Sequence, residues 1–318
     1  MVAGADRAEL RHAHRRSRRA RAAFLALMRA LVAINRGSRH GRRSLDRALA
    51  ILAGAGIEPV VAAVPKSRHI PELVARHVGA VDAVVLVGGD GTVHNAVALL
   101  LEHDLPLGIL PTGSANDLAR NLGIPPSPER AAAIVAAGRT RRIDVGYVNG
   151  EPFLNVAHIG IGAARGAAAP RPLKRAFGRF AYMPAALFAV LGARPFRAAI
   201  VVDGREITMQ AVQITVGNGG RFGGIGTVSE TARIDDGLLH LFAVKAGSGL
   251  AILPILPSLL TGRLGRRRSV ETCSGRELAV TTDAPMPVRT DGKLVAETPA
   301  RFSVRPAALR VFAPDPGV

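Results

Sequence analysis

The sequence has no tryptophan, only two tyrosines and ten phenylalanines, so aromatic residues fill 4% of its 318 positions. Proteins that hold single-stranded nucleic acid by base stacking need aromatic side chains interleaved with basic ones, and this chain does not supply them. Cys273 is the only cysteine, which excludes an intrachain disulfide and suits a reducing compartment. Long apolar runs are missing too. The best one, 250–260, carries Pro254 and Pro257 and falls short of the roughly 20 residues needed to cross a bilayer. Near the amino end, the apolar stretch 22–28 stops at Arg29 with no convincing cleavage site beyond it, so no secretory leader is expected. Acidic residues are scarce: 24 Asp and Glu stand against 42 Lys and Arg, a net charge of +18. That excess draws the chain toward anionic partners such as acidic lipid, phosphorylated substrate or nucleic acid, without choosing among them.

What is present is an ordered change of texture. Residues 1–28 form a basic extension in which Arg15, Arg16, Arg18, Arg19 and Arg21 cluster. It reads either as a solvated segment or as an electrostatic tether for anionic lipid, with Phe24, Leu25, Leu27 and Met28 available to insert. Beyond it, strand-like runs at 31–34, 60–64, 81–87 and 107–110 alternate with helical spacing at 45–52, 71–77 and 93–101. Such alternation predicts βαβ units and a parallel sheet covered by helices. After about Asp144, short β-type runs take over at 153–157, 199–202, 212–216, 238–244, 278–282 and 301–304. Asp203-Gly204, Asp236-Gly237 and Asp291-Gly292 are turn signals between them. The expected architecture is an N-terminal Rossmann-like parallel sheet domain, 29–144, followed by a C-terminal antiparallel β-sandwich domain, 145–305. Segment 306–318 is a candidate to return to the first domain.

Two glycine-rich turns carry the chemistry. Gly88-Gly89-Asp90-Gly91-Thr92 stands directly after a strand and before a helix, where glycines let backbone N–H groups approach an anion and the helix N-terminus adds partial positive charge. It is neither the dinucleotide fingerprint nor a P-loop. Pro111-Thr112-Gly113-Ser114-Ala115-Asn116-Asp117 follows the next strand in the same way. Read locally, Ser114 and Asp117 form a capping box. Read with the first turn, both lie at carboxyl ends of sheet strands and meet in one crevice. Asp90 and Asp117 would then face the same phosphates, an arrangement that calls for a divalent cation between them and points to Mg²⁺ and a nucleoside triphosphate.

These two motifs together resemble the catalytic domain of diacylglycerol kinases, a family that also includes sphingosine, ceramide and related bacterial lipid kinases. The likeness continues through Ile143-Asp144-Val145-Gly146, Gly217-Asn218, Gly223-Gly224, Ile234-Asp235-Asp236-Gly237-Leu238-Leu239 and Asp291-Gly292. The resemblance implies an ATP- and Mg²⁺-dependent kinase acting on a lipid hydroxyl, with the γ-phosphate attacked in line. It implies nucleotide contacts at Asn35, Arg36, Gly37, Ser38, Arg39, Gly89, Asp90, Gly91, Thr92, Val93, His94, Asn95 and Ser114. Asp90, Asp117 and Asp236 would organise Mg²⁺ and its waters. The carbonyls of Arg233 and Leu238 with the Asp236 carboxylate would make a second, structural metal site; read without the family, Asp235 and Asp236 make only a hairpin turn.

Several positions depart from the family pattern. Arg36 replaces a Pro, Val64 a Thr, Asn95 a Glu and Ser114 a Thr. Lys293 stands where the family has a Glu thought to serve as general base, and an ammonium beside carboxylates is a poor base. Asp90, Asp117 and Lys293 are thus the candidate catalytic positions, and Lys293 was expected near Asp90. The segment 173–196 offers a lipid-lining face or an ordinary core helix. The segment 250–260, with Arg263, Arg266, Arg267 and Arg268, offers a membrane contact or a solvated basic helix end. A lipid substrate and an anionic membrane surface are the expected partners, with no nucleic acid; the expected location is cytoplasmic, peripheral at the inner membrane surface. Homodimerisation is left open. The competing readings are an enzyme like NAD kinase, which shares a Gly-Gly-Asp-Gly-Thr turn, and a catalytically impaired binding homologue.

Overall fold

Leu31, Val32 and Ala33 are wholly buried, and β1 (Arg29–Asn35) carries five consecutive buried residues, the signature of a strand covered on both faces. In the computed structural model of the chain, which describes residues 28–36, 42–161, 194–222, 226–227, 232–245 and 268–314, β1 lies inside a parallel sheet. The chain continues through α1 (Arg42–Gly54), β2 (Glu58–Val64), a 3-10 turn (Ser67–His69), α2 (Ile70–Ala75), β3 (Ala83–Gly88), α3 (Asp90–Glu102) and β4 (Leu107–Pro111). β2 pairs with one side of β1 and β3 with the other, while β4 extends the sheet beyond β3, all in parallel. Leu45, Ala48 and Leu52 put the buried face of α1 at helical spacing. Then come α4 (Asp117–Asn121) and α5 (Pro128–Ala136). The sequence reading has no counterpart of α5, although Ser127 caps it by accepting the Arg130 N–H and Pro128 opens its first turn, a start signal.

Antiparallel pairing then takes over. The strands are β5 (Thr140–Val148), β6 (Glu151–Phe153), β7 (Val156–Gly160), β8 (Phe196–Val202), β9 (Arg205–Gly217), the small pair β10 (Arg221–Phe222) and β11 (Gly226–Thr227), β12 (Leu239–Lys245), β13 (Val270–Gly275), β14 (Glu277–Thr282), β15 (Pro287–Thr290), β16 (Lys293–Glu297) and β17 (Ala300–Phe312). Their path runs β16-β15-β7-β9-β8-β14-β17 and joins the parallel strands at β4, with β12 and β13 branching from β9. This is a mixed sheet with parallel N-terminal and antiparallel C-terminal strands, as the sequence texture implies. The expected run 153–157 is two strands, and β5, β10, β11, β13, β15 and β16 have no counterpart in the sequence reading.

Three two-residue hairpin loops have positive φ at both positions: Asn149-Gly150, Asp203-Gly204 and Asp291-Gly292. That is the type I′ conformation whose twist matches the flanking strands. Asp236-Gly237 differs; only its glycine has positive φ, and it leads into β12 instead of closing a hairpin.

Long β17 joins the two halves. Its register breaks between Arg305 and Leu309, where Ala307 takes a φ of 48°. Beyond the break Val311 pairs in parallel with Leu107 of β4. Asp144 holds this bend: Oδ1 accepts the Ala307 N–H at 2.8 Å and Oδ2 the Gly237 N–H at 2.6 Å. One apolar core packs around β1, β3 and β4 and takes in Leu309, Val311 and Phe312; a second gathers Phe153, Ile200, Ile214, Leu241 and Phe302. Expectations for 1–27, Gly37, Ser38, Arg39, 173–193, Gly223-Gly224, 250–260, Arg263, Arg266 and Arg267 lie outside the described residues.

Candidate active site

The sheet order β2-β1-β3-β4 places neighbours reached in opposite directions on the two sides of β1, so a crevice opens beyond the carboxyl ends of β1 and β3. Asn35 ends β1, and the first glycine turn follows β3. The two meet: Asn35 Nδ2 donates to Thr92 Oγ1 at 3.0 Å. Thr92 in turn closes over Gly88, where any Cβ would stand 2.3 Å from Thr92 Oγ1.

The second glycine turn lies against the first, backbone to backbone. A Cβ on Gly89 would stand 2.9 Å from Gly113 Cα, and one on Gly113 would stand 2.6 Å from Gly89 Cα and 2.7 Å from Asn116 Oδ1. Glycine is required at both positions because the clash is with main chain. Asn116, in the left-handed region at φ 52°, clamps the second turn: Oδ1 accepts the Gly113 N–H and Nδ2 donates to the Gly113 carbonyl, both at 2.9 Å. Thr112 N–H donates to the Gly88 carbonyl at 3.0 Å. The local capping-box reading needs correction here. The residue preceding α4 is Asn116, Ser114 is exposed, and the carboxylate that caps α4 belongs to Asp90.

Asp90 Oδ1 accepts the Leu118 N–H at 3.1 Å and Asn155 Nδ2 at 3.4 Å, and the Asp117 N–H also binds this carboxylate. Burial pushes its pKa up, against the pull of those N–H donors, and the charge of Asp291 pushes the same way. Asp117 itself is buried. Asp236 lies in the turn before β12, where it accepts the Arg233 N–H at 2.9 Å and the Leu238 N–H at 3.0 Å, with His240 Nε2 at 2.8 Å from Oδ2. Among the described residues no three His, Cys, Asp or Glu side chains stand together as a metal cluster.

The sequence reading assigned no role to the Asp291 side chain. Only 2% exposed, it accepts the N–H groups of Leu154, Asn155 and Val156 at 3.2, 3.3 and 3.3 Å. This is why the run 153–157 breaks into two strands: its central N–H groups turn to a carboxylate. His94 Nδ1 lies 3.3 Å from Asp291 Oδ2. Asn155, also unassigned, has a buried Oδ1 with no hydrogen-bond partner; a lone amide inside an apolar strand-like run is the signal that marks it. Lys293 does not pair with Asp90. Its ammonium donates to Asn95 Oδ1, because the β15–β16 hairpin brings it over α3. Burial lowers the Lys293 pKa while Asp291 opposes. Arg36 is exposed and its N–H donates to the Val64 carbonyl at 3.0 Å.

Behind this site, His158 Nδ1 lies 3.1 Å from Thr215 Oγ1, and burial pulls the His158 pKa down to about 4. The unfolded chain therefore binds this proton from about pH 6.5 downward and the folded protein only near pH 4, so stability rises with pH across that window. The full effect is about 3 kcal/mol. Thermal melts of the wild type and His158→Gln at pH 7 and pH 4 are expected to show a smaller acid-side fall for the variant; equal falls would mean that His158 charges freely in the folded state.

The family model described as the diacylglycerol kinase catalytic domain matches residues 29–148. One described as the YegS C-terminal NAD kinase beta sandwich-like domain matches residues 155–313. A diacylglycerol kinase from Mycobacterium tuberculosis is 33% identical over 258 residues, 79% of this chain and 82% of that one. An uncharacterized protein of Synechocystis sp. is 32% identical over 240 residues, 73% of this chain, and the chain spans about half, 54%, of that relative's length. Among solved structures, a diacylglycerol kinase from Bacillus anthracis str. Sterne aligns at a TM-score of 0.75 over 92% of this chain and 98% of that one, with 22% identity, a likeness of fold.

Proposed function

Since the chain belongs to the diacylglycerol kinase catalytic-domain family, we propose that it transfers the γ-phosphate of ATP to a lipid hydroxyl such as that of diacylglycerol. The observation that carries this reading is the backbone contact of the two glycine turns, Gly89 on Gly113, at the carboxyl end of the sheet. Polyphosphate would lie against the turn from Gly89 to Asn95 and the start of α3, where main-chain N–H groups and the helix dipole favour an anion. Asn35, Arg36 and Ser114 would border that crevice, with Gly37, Ser38 and Arg39 assigned to it by resemblance alone.

The residues fit Mg²⁺ at one place. The Asn155 amide oxygen is buried without a partner beside Asp90, and burial disfavours the charge on Asp90; a hard cation would relieve both. Asp90 and Asn155 would hold the ion and Asp117 its waters, and the bound ion supplies charge neutralisation on the phosphates. The residues do not fit a cation at Asp236, whose oxygens already face three hydrogen-bonding nitrogens. What the chain itself does is position: the turns orient the triphosphate, Asp90 braces α4 against the first turn, and the acceptor hydroxyl approaches in line.

No helix among the described residues is long and apolar enough to cross a membrane. The reading adds a peripheral encounter with an anionic surface through the basic extension and the arginines near 263–268. A binding homologue without turnover is the second reading, favoured by Lys293.

The test is transfer of labelled γ-phosphate from ATP to a panel of lipids in mixed micelles, with NAD as control acceptor. Label is expected in a hydroxyl lipid and not in NAD. Label in NAD alone would replace this function with that of an NAD kinase, and ATP binding with label nowhere would favour the binding homologue.

A further inference from the structure

Phosphorylating an alcohol requires something to take its proton, and the position of Lys293 directs its donor group at Asn95. Another group stands close by. His94 lies one helical turn after Asp90 on α3, so the two side chains share a face. Its ring is 10% exposed, and Nδ1 is engaged by Asp291 Oδ2. The described residues offer Nε2 no partner. Asp291 is itself held by the N–H groups of Leu154, Asn155 and Val156, and the Asn155 side chain reaches back to Asp90. Hydrogen bonds thus run from Asp90 through Asn155 and Asp291 to His94, beside the start of α3. A carboxylate on Nδ1 places the ring proton there and leaves Nε2 as the acceptor.

We propose that His94, oriented by Asp291, accepts the proton of the attacking lipid hydroxyl. The inference rests on the lipid-kinase reading. The hydroxyl oxygen forms its bond to the γ-phosphorus as the bond from that phosphorus to the β,γ-bridging oxygen breaks. The hydroxyl proton passes to His94 Nε2, ADP leaves, and the imidazolium returns its proton to solvent. Asp90 is less suited, since its Oδ1 is occupied by the Leu118 N–H and the Asn155 amide.

Charged and titratable groups around His94 are Asp291, Lys293, Asp90 and His158. The 3-10 turn, α2, β3, β6 and β17, which pack along α3, carry or flank Arg68, His69, Glu72, Arg76, Glu151, Arg301, Arg305 and Arg310. His158 is held neutral down to about pH 4, below the pH 5 to 8 range in which an ordinary imidazole changes charge, and so does not compete for the same limb of a pH profile.

The experiment measures kcat, KM for ATP and the pH dependence of kcat for lipid phosphorylation in the wild type, His94→Gln, His94→Asn, His94→Ala and Lys293→Met, with melting curves for each. We expect His94→Gln and His94→Asn to lower kcat by about 10²–10³-fold, a larger factor than any change in KM for ATP. The rising limb of kcat with pH should vanish in both and persist in Lys293→Met. Added imidazole should restore part of the rate to His94→Ala. An active His94→Asn would overturn the proposal, because the amide can still donate to Asp291 but cannot take a proton. So would a limb lost in Lys293→Met instead, or a wild-type rate that falls with rising pH between about pH 5 and 8. A wild type that labels no lipid overturns both this proposal and the lipid-kinase reading, whereas transfer that His94→Gln retains overturns this proposal alone.

Discussion

Asp90→Asn is expected to lower phosphate transfer to lipid by about 10³-fold or more while leaving the melting temperature unchanged or slightly raised. The two halves of that result have one cause. The carboxylate is buried, and burial disfavours its charged form; in the folded protein alone it is therefore a liability that an amide relieves. Asparagine keeps an oxygen to accept the Leu118 N–H, so α4 stays capped, and losing the favourable charge at that N-terminus costs only about 0.3–1 kcal/mol. What the amide cannot replace is negative charge beside the first glycine turn; removal of a single preorganised electrostatic group from an active site typically costs about 10²–10³-fold, and cation affinity would fall in addition. Stability given up for activity is the usual mark of a site. Wild-type turnover by the purified variant would remove Asp90 from the site. Lost activity with a melting temperature lower by 10 °C or so would make its role structural, since about 1 kcal/mol shifts the melting temperature of a protein this size by roughly 2–4 °C.

Gly113→Ala should lose both stability and nucleotide binding. The added methyl would stand 2.6 Å from Gly89 Cα and 2.7 Å from Asn116 Oδ1. Neither neighbour can swing aside: one is main chain and the other is clamped to the same turn. Overpacking of this kind costs about 1–3 kcal/mol, and relieving it displaces the first turn, against which the phosphates would lie. Gly91→Ala is the matched comparison. A Cβ there meets nothing within 4 Å, and replacing a helical glycine by alanine is worth roughly 0.5–1 kcal/mol, so this variant should melt at or above the wild-type temperature. Calorimetric titration with ATP, alongside melting curves, separates the two effects. A Gly113→Ala protein that melts and binds like the wild type would mean that the turns do not approach this closely.

Features carried by local chemistry were legible in the sequence. Gly88-Gly89 and Gly113 announced two tight strand-to-helix turns, and Asp203-Gly204 and Asp291-Gly292 announced hairpins whose positive φ angles few other residue pairs tolerate. Assignments failed where a distant residue satisfied a local need. Ser114 and Asp117 have capping-box spacing, yet the cap of α4 comes from Asp90, 28 positions before Leu118. The run 153–157 has strand composition, but Asp291, more than a hundred residues on, takes its central N–H groups. By family position Lys293 belongs beside Asp90; its partner, Asn95, lies 198 positions away, and no periodicity reports such a contact. The helix α5 was legible in Ser127 and Pro128 but lies among alanines, which mark neither face strongly.

The bend of β17 at Ala307 has a consequence for how the protein is made. β4 leaves the ribosome long before β17, whose Val311 takes its place beside Leu107, and Leu309 and Phe312 complete the core of the earlier half. Until then the parallel sheet has a raw edge and an incomplete core, the kind of surface that chaperones recognise and that invites mispairing. Nascent chains and premature-stop fragments that end before β17 therefore carry an unfinished first half, and translation itself sets when the two halves of the sheet are joined.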